Sequence, residues 1–179
     1  MLSYNVAGLL RSAPGTARRY TVHESVLEIA ADVRLAAPIE GEVRLSHTGR
    51  GILATAVLTT ALEEHCSRCL VSMAAPIRLW VEEEALPSVD LETGRLIDPS
   101  AEPEALRLDD HHELDLAQPI REAIFMAEPI APLCRPDCLG LCAVCGAELN
   151  AAPDHDHGTV PVDPRLASLA DWRAPGNAG

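Results

Sequence analysis

The chain has 179 residues, enough for one domain or one domain with a small appended module. It carries 27 acidic against 14 basic residues, a net charge of −13, and every basic residue is Arg. That balance argues against broad phosphate-backbone binding, which needs clustered cations; one Phe, two Tyr and two Trp leave little for base stacking.

Residues 1–20 contain Gly8, Pro14 and Gly15 among Arg11, Arg18 and Arg19, and read as an irregular lead-in. The segment Met1–Leu10 lacks the charged start and apolar core of a signal peptide. No apolar run approaches the roughly 20 residues of a membrane span. These features predict a cytoplasmic protein without a membrane partner. In that reducing compartment, six cysteines favour metal over a disulfide framework.

From Val22 the pattern becomes β. Strands are predicted at Val26–Ile29, Ile39–Leu45, Gly51–Thr60 and Ile77–Glu82. The second alternates apolar and polar residues, as a strand with one wet face should, and His47–Gly51 supplies the turn that follows it. Cys66-Ser-Arg-Cys69 falls at the next connection between strands, where a tight metal-binding turn is easily built.

After Leu86 the character changes. Between Glu82 and Asp115 twelve acidic residues stand against Arg95 and Arg107, a local balance of −10. With Pro87, Gly94, Pro99 and Pro103 among them, residues 87–114 read as an acidic, loop-rich variable segment. Asp115-Leu116-Ala117-Gln118 then resembles a helix start, with Asp at the cap and Gln three residues later. Leu116, Ile120, Ile124 and Ala127 share one face of a helix that stops before Pro129. Residues 129–150 form a cysteine-rich knot, Asp163–Leu169 a short capped helix, and the tail from about residue 173 is expected to be disordered.

The predicted fold class is therefore α+β. A mainly antiparallel β portion spans residues 1–86 and carries the first Cys-x2-Cys pair. The acidic segment 87–114 follows, then a helix, the metal-binding knot and a short terminal helix over 115–172, with a tail at 173–179.

The cysteines carry the chemistry. Two thiolate pairs, each gripping from one tight turn, can close a tetrahedral zinc site between distant segments. Cys142-Ala-Val-Cys145 is the better second pair, because Gly146 lets the backbone turn its amides towards sulfur. Cys66, Cys69, Cys142 and Cys145 are accordingly the first-choice ligands of a structural zinc ion. Cys134 and Cys138 are alternates, either with Cys142 and Cys145 in a local site or with Cys66 and Cys69. Six thiolates exceed one tetrahedral ion, so two are spare unless His155 or His157 helps to build a second site.

Catalytic constellations are poor. There is no nucleophile elbow and no glycine-rich phosphate cradle. Glu82, Glu83 and Glu84 lie on a predicted strand and point alternately to opposite faces, so they form no matched acid–base pair. Neither an enzyme nor a small-molecule substrate is expected.

The residue pattern resembles a known family. Gly51-Ile52-Leu53 leading to Cys66-Ser-Arg-Cys69-Leu70, then Asp115-Leu116 with Arg121-Glu122-Ala123-Ile124, is similar to the bacterial and plastid YceD family. The strongest match is Pro132-Leu133-Cys134-Arg135-Pro136-Asp137-Cys138-Leu139-Gly140-Leu141-Cys142-Ala143-Val144-Cys145-Gly146, followed by Leu149-Asn150 and Asp163-Pro164-Arg165-Leu166. The resemblance runs from about residue 8 to 170. It implies a non-enzymatic factor supporting synthesis, processing or stability of large-subunit (23S) ribosomal RNA. The resemblance implies a ribosomal protein or a large-subunit assembly intermediate as partner, and the charge adds that the partner is basic and that direct RNA contact is not favoured. A zinc-thiolate, redox-responsive regulatory protein is the alternative.

Overall fold

The computed structural model describes residues 2–24, 34–158 and 163–172. Its elements run β1 (Ser3–Asn5), α1 (Ala7–Leu10), β2 (Ala17–Glu24), β3 (Ile39–His47), β4 (Ile52–His65), β5 (Ser72–Leu86), β6 (Leu106–Arg107), β7 (Glu113–Asp115) and α2 (Ala117–Ala127). Short 3-10 helices occupy Pro99–Ala101 and Pro164–Asp171. The strand expected at Val26–Ile29 and the tail at 173–179 lie outside the described residues.

Five strands make one sheet in the order β2-β3-β4-β5-β6, antiparallel except for the parallel β5–β6 pairing. The architecture is α+β, as the sequence pattern predicts. Period-two alternation sets which face is buried. Ile52, Ala54, Ala56, Leu58 and Leu62 of β4 point inward beside Ala75, Ile77, Leu79 and Val81 of β5. The register confirms it, with Ala56 opposite Val81 and Leu58 opposite Leu79. Against this face pack Val6 and Leu9 from the N-terminus, then Leu114, Leu116, Ile120 and Ile124.

Residues 1–20 are not an irregular lead-in. They contain β1, α1 and the start of β2, and β1 pairs with β7 at Ser3–Asp115, Tyr4–Leu114 and Asn5–Glu113. Three-residue strands carry too little alternation to be read locally; their pairing supplies the missing hydrogen bonds. The Val6 amide donates to the His112 carbonyl at 2.9 Å and the Leu116 amide to the Leu2 carbonyl at 3.0 Å. This small sheet fixes the entry to α2.

The helix start differs in detail from the expected capping box. Leu116 takes the cap position, and Asp115 Oδ1 accepts from the Ala117 amide at 2.8 Å. Gln118 reaches forward to Glu122 at 3.0 Å, one helical turn on. The apolar face is as predicted, with Leu116, Ile120 and Ile124 buried against the sheet.

The acidic segment has its own local order. Asp90 accepts from the Glu92 and Thr93 amides, Asp98 from Ser100, and Asp109 from His111 and Glu113. Short carboxylate side chains suit these turns because they satisfy amides that the chain reversal leaves unpaired. Arg50 pairs with Glu84 of β5 and, at 2.8 Å, with Glu102, tying the segment to the sheet.

Candidate metal centres

β4 and β5 extend well beyond the predicted strands, to His65 and back from Ser72. Their antiparallel pairing continues to the last pair, His65 opposite Ser72. The Cys66–Cys69 turn therefore sits at the tip of a long rigid hairpin. The Leu70 amide donates to the Cys66 carbonyl and the Cys66 amide to the Val71 carbonyl, each at 2.9 Å. Leu70 adopts φ +60°, the left-handed conformation that closes the turn.

α2 runs back along the same hairpin. Ile124, Phe125 and Glu128 face Leu62, Glu63 and Glu64 across a small cleft. The chain leaving α2 therefore meets the hairpin tip first with residues 132–138. The Ser67 amide donates to the Pro132 carbonyl at 2.8 Å, and Arg68 Nη1 to the Cys138 carbonyl at 2.7 Å. Gly140 has φ +80°, and a Cβ there would lie 3.1 Å from the Arg68 carbonyl oxygen. Both its torsion and the close approach call for glycine.

This topology gathers Cys66, Cys69, Cys134 and Cys138, whose sulfurs all lie within 4.8 Å of one another. Cys66 Sγ is 3.8 Å from Cys138 Sγ, and Cys69 Sγ is 3.7 Å from Cys134 Sγ. Four thiolates at about 2.3 Å from a tetrahedral zinc ion would have edges of about 3.8 Å. The spacing fits.

The first-choice set of Cys66, Cys69, Cys142 and Cys145 is not one cluster. Cys142 and Cys145 instead meet His155 and His157 in a second group, again with all four ligand atoms within 4.8 Å of one another. Cys145 Sγ lies 3.2 Å from His155 Nε2, which lies 2.9 Å from His157 Nε2. The reason for the division is chain order. Cys134 and Cys138 come directly after α2 and occupy the hairpin tip, so the following knuckle turns away. The local four-cysteine set over 134–145 is divided in the same way.

The second knuckle does have the predicted geometry. The Gly146 amide donates to the Cys142 carbonyl and the Cys142 amide to the Ala147 carbonyl, both at 2.8 Å. Gly146 sits at φ +75°, and the Val144 amide points at Cys142 Sγ at 3.4 Å.

Electrostatics divide the thiols within each group. In the first, backbone amides of Cys134, Cys69 and Arg68 pull the Cys66 thiol down to about 6. The Asn150 side chain and the Gly140 amide hold Cys138 low. Burial and the surrounding thiols push Cys134 up to about 12. Cys69 also rises: the Val71 amide pulls it down, but burial and the Cys66 and Cys138 thiols outweigh that. Four thiolates alone repel one another, so only some ionise readily. A divalent cation among them removes that conflict. In the second group, the amides of Cys145 and Val144 lower Cys142 to about 6.

Three functional residues lie beyond the cysteine spacing. His155 and His157 complete the second group, signalled only by their alternation in Asp154-His155-Asp156-His157. Asn150, in the segment that carries the second group, supports the first: its Oδ1 accepts from the Leu139 amide at 2.9 Å and from Arg135 at 2.8 Å, while its Nδ2 donates to Cys138 Sγ at 3.4 Å. Both groups can hold a metal ion. Among the described residues, no helix is long and apolar enough to cross a membrane.

No solved structure matches the chain significantly. An uncharacterized protein of Mycobacterium tuberculosis strain H37Rv is 32% identical over 166 residues, covering 87% of this chain and 72% of that protein. An uncharacterized protein of Mycobacterium leprae is 29% identical over 147 residues, covering 78% of this chain and 61% of that protein. The family model described as large ribosomal RNA subunit accumulation protein YceD matches residues 54–172, which contain all the candidate ligands. With more than half of its length matched, the chain belongs to the YceD family.

Proposed function

We propose that this protein is a non-enzymatic factor that supports synthesis, processing or stability of 23S ribosomal RNA during assembly of the large ribosomal subunit. The observation that carries the reading is the family match over residues 54–172, which supports a role connected with the ribosome. The factor acts in the cytoplasm through a basic protein partner. With −13 net charge and no Lys, the chain is poorly suited to clamp RNA alone. Its charge is concentrated in the segment between β5 and α2, which suits it to hold a basic ribosomal protein until assembly. A zinc ion at Cys66, Cys69, Cys134 and Cys138 has a structural role, pinning the segment after α2 to the hairpin tip.

The primary test is the ratio of large- to small-subunit ribosomal RNA after depletion, with a complemented control. A selective fall in the large-subunit RNA is expected, and an unchanged ratio under several growth conditions would refute the role. The partner is tested by changing Asp and Glu to Asn and Gln across 98–115. Asn can replace Asp in its turn-capping bonds, so the segment keeps its order while losing charge. Full complementation by that variant would exclude the electrostatic partner.

A second reading rests on the close packing of the thiols, with four sulfurs within 4.8 Å of one another in the first group and a partly exposed pair, Cys142 and Cys145, in the second. Thiolates react with peroxide. Oxidation of two ligands to a disulfide, with peroxide reduced to water, would release the metal and change partner binding. A regulator of this kind loses metal under mild peroxide and recovers it with a thiol reductant; metal content indifferent to peroxide removes this reading.

A further inference from the structure

Residues 142–158 hold no buried side chain. The segment nevertheless follows a defined path, with the knuckle at Cys142–Gly146, a bridge between Leu141 and Glu148, and a turn that returns His155 and His157 to the cysteines. Ordering a chain costs conformational entropy, which burial of apolar surface normally offsets. Here Val144 is 56% exposed and Ala143, Ala151, Ala152 and Pro153 are exposed too. Ala147 and Leu149 are only half-buried; among the described residues, the convergence of four ligand atoms is what, beside hydrogen bonds, closes the segment on itself.

The imidazoles sharpen the point. His155 and His157 present Nε2 atoms to each other at 2.9 Å, with ring planes at 84°. Two nitrogens and two sulfurs, all within 4.8 Å of one another, form a mixed donor set suited to tetrahedral zinc. All four come from 16 consecutive residues, 142–157, so closure needs no other part of the fold.

We propose that Cys142, Cys145, His155 and His157 bind a second zinc ion, and that this ion, in place of a hydrophobic core, folds residues 141–158. The inference goes beyond the ribosomal role and does not depend on it. Metal binding at such a site is itself folding free energy. The segment is thus a small metal-dependent module attached to the sheet domain. Among the described residues, its hydrogen bonds to the rest of the chain are the Leu149 amide to the Gly140 carbonyl at 3.0 Å and those of Asn150. Zinc at this site therefore governs the module without governing the sheet.

The test uses the full chain, purified with zinc present. Zinc per chain is measured by elemental analysis, and amide protection by hydrogen exchange with mass spectrometry. Wild type should hold two ions, and the double variant His155→Ala/His157→Ala one. The variant should lose protection over 142–147, where the Cys142 and Gly146 amides are bonded, with β4 and β5 unchanged. The ligand-conserving pair His155→Cys/His157→Cys should keep the second ion and the protection. Equal zinc per chain in wild type and in the alanine variant, or unchanged protection over 142–147 in that variant, would each overturn the proposal. Cobalt loading adds a spectroscopic check. The wild-type spectrum minus that of the alanine variant should show a two-thiolate tetrahedral site, and a null difference would count equally against it. Ribosomal RNA levels play no part in these readouts, so the assembly role and the second zinc site can fail independently.

Discussion

The two metal-capable groups are built in opposite ways. Cys66, Cys69, Cys134 and Cys138 come from a hairpin tip and from the segment after a helix docked on that hairpin, and Cys66 and Cys138 are fully buried. Cys142, Cys145, His155 and His157 come from one short stretch, with Cys145 and His157 exposed. The first group depends on the whole fold to bring its halves together. The second depends only on itself. A metal in the first links elements the sheet has already placed; a metal in the second creates order where no core exists.

The largest effect expected from breaking this contrast is at Cys66. Cys66→Ser removes a buried ligand and should release residues 128–140 from the hairpin tip. The melting temperature should fall markedly, with one metal ion lost and the Cys2His2 group still loaded. Melting and metal content both unchanged would show that the hairpin tip is not joined through metal. Ile124→Ala comes next, because it loosens the anchor without touching a ligand. Ile124 is 2% exposed on the helix that delivers Cys134, and truncation of such a residue costs about 2–5 kcal/mol. Chemical denaturation should show that loss together with faster zinc transfer from the four-cysteine group to a chelator. Equal acceleration at both groups would erase the distinction between them.

How far the sequence foretold these sites follows from the same contrast. The Cys-x2-Cys pairs were legible because two residues between thiolates define a turn, and Gly146 confirmed the second turn. Which pairs join was not legible. Knuckle quality is local, whereas joining depends on where α2 delivers the chain, and only Cys134 and Cys138 follow closely enough to reach Cys66. The core face of α2 was readable because Leu116, Ile120 and Ile124 repeat every four residues. The outer ends of β4 and β5 were not, because Glu63, Glu64, His65 and Ser72 project past the core and carry no apolar alternation. β1 was hidden for a different reason: three residues make a strand only once Glu113–Asp115 lie beside them.

A smaller effect should come from Gly140→Ala, which sharpens the contrast at the point where the hairpin tip meets the knot. An L-residue held at φ +80° costs about 1–2 kcal/mol, and the added Cβ would crowd the Arg68 carbonyl. Denaturation should report a loss of that size, with the four-cysteine ion retained but exchanging faster. A neutral result would mean that the tip yields more readily than a 15-residue strand and its partner suggest.

The smallest change in melting is expected at Asn150, which reaches from the second segment to a ligand of the first group. It touches Cys138 Sγ and the Leu139 amide from within the second module, so Asn150→Ala leaves both ligand sets intact. Its side chain is the main cause of the low Cys138 thiol, and removing it should raise that thiol. Thiolate ligands must lose their protons to bind metal, so the affinity of the four-cysteine group should fall, most visibly at lower pH. Outer partners of this kind are commonly worth about 10- to 100-fold in metal affinity. Competition with a chromophoric chelator across a pH series would measure it. A loss confined to the four-cysteine group would show that Asn150 tunes Cys138 directly. An equal loss at both groups would mean that the module and the hairpin tip are one cooperative unit, and the contrast between a fold-dependent and a self-contained centre would fail.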